Sequence, residues 1–291
     1  MEKQYVIITD TGCDLPLEML EKMGVLCVPL NVFMKDNPAQ PCTLTGAAFY
    51  QALREGQVAC TSAANLGRFR ETYCPLLEAG KDILYLSFSS ALSCMFATAK
   101  LAEEELSAEY PDRKIITIDG LSASMGQGLL LYFAVHQREK GASIEELEQY
   151  LLDHRLRISH WFTVDDLMFL KRGGRLSSMA AIAGTLLGIK PVLRVTHDGK
   201  LVAFSKVRGR KNALLELAKH FHEEVEDPTQ QIYISQADDM DAAVLVKETL
   251  EREYGAKNVL IGDIGAVIGA HAGPGTVALF FMAKEPRKAD A

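Results

Sequence analysis

Apolar residues fall in short runs along the first half of the chain, separated by polar stretches with helical spacing. The runs are Tyr5-Val-Ile-Ile-Thr9, Val25 to Val32, Ile83-Leu-Tyr-Leu-Ser87 and Lys114-Ile-Ile-Thr-Ile118. Each is bounded by turn formers and too short for a buried helix, so each predicts a strand, and the near-continuous apolarity predicts burial on both faces. Helices are expected between them. One carries Pro16 in its first turn, one runs from about Ala91 to Leu106, and a long one ends near Gly141. Strand–loop–helix repetition predicts a parallel α/β sheet. Asp10, Ser89 and Asp119 follow strand ends directly, where open sheets bind ligands.

The pattern changes after a helix from Ile144 to about Leu156. A strand is expected at Ser159–Thr163, then a helix entering Lys171-Arg-Gly-Gly-Arg175. Pro191–Val195 and Leu201–Phe204 flank His197-Asp-Gly199, a hairpin signal. The apolar stretch Met179–Leu187 reads as a helix whose small residues either leave room for a ligand or pack in the core. Helices near Arg210–Glu224 and Asp239–Tyr254 alternate with strands at Gln231–Ser235, Val259–Ile264 and Thr276–Met282. This predicts a mixed α+β domain over 159–291 after an α/β domain over 1–158.

Composition narrows the class. A 291-residue chain that is 48% hydrophobic and 24% charged buries a proper core. It has no apolar run of about 18 residues and no signal-like start, which predicts a cytoplasmic protein with no stable membrane insertion. Six cysteines (Cys13, Cys27, Cys42, Cys60, Cys74 and Cys94) show no C-x-x-C pair and no His at metal spacing. No metal and no cofactor is therefore expected. A net charge of −7 argues against nucleic-acid binding. Yet between Lys171 and Lys211 there are ten Lys and Arg and one acid, Asp198. That basic island points to an anionic ligand or an acidic partner.

No catalytic motif is complete: G-x-S-x-G, the phosphate-binding P-loop and a strand-following G-x-G-x-x-G are all missing. What remains is hydroxyls and one imidazole. Ser87, Ser89, Ser90 and Ser93 cluster between a strand and a helix, where they cap the helix or meet an anion. Thr61 and Ser62 precede another helix. His271 lies in Gly269-Ala-His-Ala-Gly-Pro-Gly275, read as a shaped loop that either meets a ligand or only turns the chain.

The motifs in order are Thr9-Asp-Thr-Gly-Cys-Asp-Leu-Pro16, Thr61-Ser62, Ser89-Ser-Ala-Leu-Ser93, Asp119 with Ser122-Ala-Ser-Met-Gly-Gln-Gly128, and Phe169-Leu-Lys-Arg-Gly-Gly-Arg-Leu-Ser177. Lys190-Pro191, Asp198-Gly199, Lys206-Val-Arg-Gly209 and His271-Ala-Gly-Pro-Gly275 complete the set. Over essentially its whole length the chain resembles the DegV family of bacterial fatty-acid-binding proteins. The resemblance implies a two-domain α/β architecture holding a long-chain fatty acid between the domains. The carboxylate would meet Thr61, Ser62, Ser93 and His271, with Arg172 beside it. It also implies a non-catalytic role, presenting the acyl carboxylate to a separate kinase subunit that makes acyl phosphate. The basic island would then have a use, with Arg175, Arg194, Lys206 and Arg208 forming a docking face for an acidic kinase subunit or meeting phosphate during transfer. Two positions depart from the family pattern: Cys94-Met95 stands where Gly-Thr is common, and Ala63-Ala64 where a Pro follows Thr-Ser. The alternative is an autonomous enzyme, either a phosphoryl-transfer protein of the dihydroxyacetone-kinase type or a serine hydrolase.

Overall fold

The structure, a computed structural model, describes residues 5–176 and 188–289. The Met179–Leu187 stretch lies outside the described residues. The first half builds β1 (Tyr5–Asp10), α1 (Leu17–Lys22), β2 (Val25–Val28), β3 (Asn31–Met34), α2 (Gly46–Arg54), β4 (Ala59–Ser62) and α3 (Leu66–Glu78). It continues with β5 (Asp82–Ser87), α4 (Met95–Glu109), β6 (Ile115–Asp119), α5 (Met125–Glu139) and α6 (Ile144–His154). The second half adds β7 (Ile158–Thr163), α7 (Met168–Arg172), β8 (Ile189–Val195), β9 (Leu201–Arg208), α8 (Arg210–Glu224), β10 (Gln231–Gln236), α9 (Met240–Tyr254), β11 (Asn258–Asp263), α10 (Ala266–Ala272) and β12 (Val277–Met282).

Strands β2-β1-β5-β6 form a parallel sheet, and β11-β10-β12-β7-β8-β9 form a second sheet in which only β10 and β11 run parallel. The fold is α/β, with a parallel sheet in the N-terminal part and a mixed sheet in the C-terminal part. Helix α5 lies between the two sheets. Its Leu129, Leu130 and Leu131 are all fully buried, and they share one core with Ile7 and Leu84 of the first sheet and Phe162 and Phe280 of the second. A helix apolar on every side is stable only where it is enclosed on every side. Gly126 and Gly128 permit the enclosure. Two residues apart, they face roughly opposite ways: Gly126 abuts His160 and Phe280, and Gly128 abuts Leu15. Helices α3 and α4 cover the outer face of the first sheet, and α8 and α9 that of the second.

Four sequence expectations change. The Val25–Val32 run is two strands rather than one, because Pro29 lacks the N–H that a continuous ladder needs; the chain leaves the parallel sheet there and pairs β3 with β4 as an antiparallel ribbon. Cys60 to Ser62 belong to that ribbon, and Asn65 caps α3 by accepting the Arg68 N–H at 3.0 Å. The helix expected from Ala91 starts at Met95. The segment around His271 is helical: His271 occupies the last turn of α10, and the positive φ of Gly273 (77°) and Gly275 (78°) ends that helix and starts β12.

Candidate functional site

A cavity of about 280 Å³ opens between the two sheets. Its walls are mainly apolar, including Leu30, Phe88, Leu92, Phe162, Val267 and Phe280. Polar groups gather on one side of it. Thr61 and Ser62 come from the ribbon strand β4, Ser93 from the turn before α4, His271 from the last turn of α10, and Arg175 from the segment after α7.

The elements beneath these groups hold them in place. Tyr50 of α2 donates a 2.6 Å hydrogen bond to the Ile264 carbonyl, and the ring edge of Phe49 packs against Gly269, so α10 is anchored under the ribbon. The Asp14 carboxylate accepts the Gly265 N–H at 3.0 Å at the start of α10 and the Ser124 hydroxyl at 2.6 Å. Burial pushes Asp14 up to about 7, against the effect of both bonds. The hairpin turn between β8 and β9 docks on the serine turn, where the Ser89 hydroxyl donates to the Gly199 carbonyl at 2.9 Å. Thus Ser89 is a fully buried structural group and Ser93 lines the cavity.

Thr61 Oγ1 and His271 Nε2 are 2.7 Å apart. His271 Nδ1 has no hydrogen-bond partner among the described residues and faces Gly173. Burial, reinforced by the Arg175 guanidinium, holds this imidazole down to about 4, so it is neutral at pH 7. Orphaned buried N–H groups are rarer than orphaned acceptors. That assigns the proton to Nε2, which donates to Thr61 and leaves the threonine hydroxyl proton available to a ligand. Ser93 Oγ accepts the Met95 N–H at 3.3 Å, a bond that does not use its own proton. Arg175 donates to the Leu92 carbonyl at 3.1 Å and the Gly173 carbonyl at 2.5 Å, which among the described residues leaves part of its five-donor fork for a ligand. Hydroxyls, a neutral imidazole and one guanidinium at the end of an apolar cavity suit a carboxylate joined to a hydrocarbon.

The basic residues separate. Arg172 is exposed outside this cavity, with its guanidinium 4.8 Å from the centre of the Phe169 ring. Arg175, which sequence reading set on a docking face, lines the cavity. Lys206 and Arg208 are exposed on β9, an edge strand, and Arg194 lies over the Phe204 ring at 5.2 Å. Sequence reading missed Arg175 as a cavity residue. The Gly173-Gly174 pair was the available signal, since it lets the chain after α7 turn in against His271. Among the described residues no group of three metal-binding side chains occurs, and no helix is long and apolar enough to cross a membrane.

The family model described as "Uncharacterised protein, DegV family" matches residues 4–284. The chain belongs to the DegV family. A DegV domain-containing protein of Clostridium perfringens is 41% identical over 98% of this chain and all of its own length. A DegV family protein of Thermus thermophilus, solved as a study of fatty acid binding, superposes with a TM-score of 0.85 at 31% identity, covering 95% of this chain and 98% of that one. A DegV lipid-binding protein from Thermotoga maritima gives 0.84 at 29% identity over 98% of this chain and 100% of that one. The DegV fold of these proteins is the fold described above.

Proposed function

We propose that this DegV protein binds a long-chain fatty acid in the cavity between its sheets and presents the carboxylate to a separate kinase subunit for conversion to acyl phosphate. The observation that carries the reading is the junction of an apolar cavity with Thr61, His271, Ser93 and Arg175. The fatty acid binding of the Thermus relative supports it. The carboxylate accepts hydrogen bonds from the Thr61 and Ser93 hydroxyls, with Ser62 at the rim and Arg175, rather than Arg172, supplying the neutralising charge. A buried carboxylate without such partners would be strongly disfavoured. The tail supplies the affinity: about 0.8 kcal/mol per buried methylene gives roughly 11 kcal/mol gross for fourteen of them, from which association and ordering costs are subtracted.

Within this reading the protein is a carrier and the chemistry belongs to its partner. A serine hydrolase needs Ser93 against a base that a carboxylate orients. Here His271 Nε2 faces Thr61 and its Nδ1 faces Gly173, which favours a head-group contact over a general base. Lys206 and Arg208, exposed on the edge strand of an acidic protein, suit the docking of an acidic kinase surface. Native mass spectrometry with organic extraction tests the carrier: co-purifying fatty acid at one per chain is expected. An emptied protein that refuses both palmitate and oleate would refute it. Arg208→Glu should lower acyl-phosphate formation with the kinase and leave lipid binding intact; equal loss of both would remove the docking role.

A further inference from the structure

After β12 the chain stays bound to the body of the protein. The Ala283 N–H donates to the Arg157 carbonyl at 2.8 Å, the Lys284 N–H to the Glu224 carbonyl at 2.9 Å and the Arg287 N–H to the Leu156 carbonyl at 2.8 Å. This C-terminal segment thus runs back along the junction between α6 and β7. At its end Arg287 turns inward and is half-buried. The guanidinium donates to the Thr196 carbonyl at 3.0 Å, the Leu121 carbonyl at 2.9 Å and the Arg155 carbonyl at 3.0 Å. Those carbonyls belong to three separate pieces of chain: the β8–β9 turn, the loop after β6, and the short 3-10 turn that follows α6. A guanidinium is a rigid fork, so one side chain fixes the three pieces relative to one another.

Two of those pieces carry the serine turn. On one side the Ser122 carbonyl accepts the Ser89 N–H at 2.9 Å, and the Asp119 carboxylate accepts the Ser90 N–H at 3.1 Å. On the other side the Gly199 carbonyl accepts the Ser89 hydroxyl. Gly199 packs so closely that an added methyl would come within 3.0 Å of that hydroxyl and 3.2 Å of Leu121. The Thr196 carbonyl that Arg287 holds also accepts the Gly199 N–H at 3.1 Å. Leu121 has φ +46°, a left-handed conformation that costs a branched residue energy and persists only where its surroundings impose it. Arg287 on its carbonyl and Asp119 on its N–H, at 3.0 Å, impose it. The turn that these pieces support closes with the Leu92 and Ser93 N–H groups both donating to the Ser89 carbonyl, at 3.0 and 3.1 Å, and it presents Ser93 to the cavity.

We propose that Arg287 is a positioning residue for the head-group site: it holds the loop after β6 and the β8–β9 turn together behind the serine turn, and so sets Ser93 for the carboxylate. The inference rests on the fatty-acid reading and adds to it a residue that stands outside the cavity wall. Without the guanidinium, Leu121 relaxes, the two supports of Ser89 separate, and Ser93 loses its fixed place. Coupling between two sites is reciprocal. A C-terminal segment that tightens the site for a carboxylate is itself held more firmly when the carboxylate is bound.

The test titrates palmitate calorimetrically into delipidated full-length wild type, Arg287→Gln, Ser93→Ala and the double variant. Arg287→Gln should bind palmitate about fivefold or more weaker than wild type. In the Ser93→Ala background the same change should cost less than about twofold, because the residue it acts through is gone. A merely structural role would give equal factors in both backgrounds. In wild type, palmitate should slow hydrogen exchange of the Arg287 amide about fivefold or more. The Ala256 amide, bonded to the Leu250 carbonyl at the end of α9, should not follow. This second readout does not depend on any variant folding. Wild-type affinity in Arg287→Gln, equal losses in both backgrounds, or unchanged exchange at Arg287 would overturn the inference and leave the carrier reading in place. A wild type that binds no palmitate would overturn both.

Discussion

Gly173→Ala probes the head-group site without touching a ligand-facing atom. Gly173 ends α7 at φ −72°, a conformation any residue adopts, so alanine brings no backbone strain. The added methyl would fall closer than 3.0 Å to His271 Nδ1 and 3.3 Å from two further ring atoms. The helix carrying the ring cannot retreat, because Gly269 is packed on Phe49 and Gly273 on Phe169. The ring must therefore rotate, and the 2.7 Å contact with Thr61 is lost. The bond lost joins a neutral imidazole to a hydroxyl, and such a bond contributes about 0.5–1.5 kcal/mol, which corresponds to roughly 2- to 13-fold in Kd. The fold itself should lose only about 1 kcal/mol, the low end for overpacking, since the ring is half-buried and can turn. Displacement of a fluorescent fatty acid measures the affinity, and urea unfolding measures the stability. Gly174→Ala is the control. Gly174 has φ +68° and nothing within 4 Å, so it should cost about 1–2 kcal/mol of stability and leave binding alone. Wild-type affinity in Gly173→Ala, or an equal affinity loss in both variants, would refute the argument.

Three further outcomes are expected. Arg175→Gln should weaken fatty-acid binding about tenfold or more, whereas Arg172→Gln should change it less than twofold; the reverse order would return the carboxylate to Arg172. Asp14, raised to about 7 by burial, stabilises the fold below its unfolded value of 3.8 and loses that contribution as pH rises through 7. The urea midpoint of Asp14→Asn should therefore gain on wild type between about pH 5 and pH 8; a difference constant across that range would show that another group controls the titration. Cys94 is exposed at the cavity beside Ser93, so bound fatty acid should slow its alkylation by maleimide, measured by peptide mass spectrometry. An unchanged rate would place the ligand away from the start of α4.

Much of the frame was legible because it depends on local rules. The runs at Tyr5, Ile83 and Ile115 could only be strands buried on both faces, and the Asp198-Gly199 turn fixed the β8–β9 pairing. What escaped was set by tertiary contact. Thr61 and Ser62 stand just before a helix in the sequence, yet Pro29 sends the chain into a separate ribbon that pairs them with Val32 and Asn31. The glycines around His271 suggested a loop, but packing of Gly269 on Tyr50 and Phe49 makes the segment a helix that needs residues without side-chain bulk. Arg172 and Arg175 are three residues apart with the same charge, and the Gly173-Gly174 turn alone separates an exposed cation from one inside the cavity.

The sequence by itself therefore determined the parallel first sheet, the mixed second one, and the hydroxyl and imidazole residues that line the cavity. Strand patterns, turn residues and side-chain chemistry are short-range properties that the order of residues carries directly. Only the tertiary structure decided that Thr61 and His271, 210 positions apart, share one hydrogen bond, and that Arg175 lines the same cavity. Those facts depend on how α5 is enclosed between two sheets, and enclosure is a property of the packed whole that no short stretch of sequence contains.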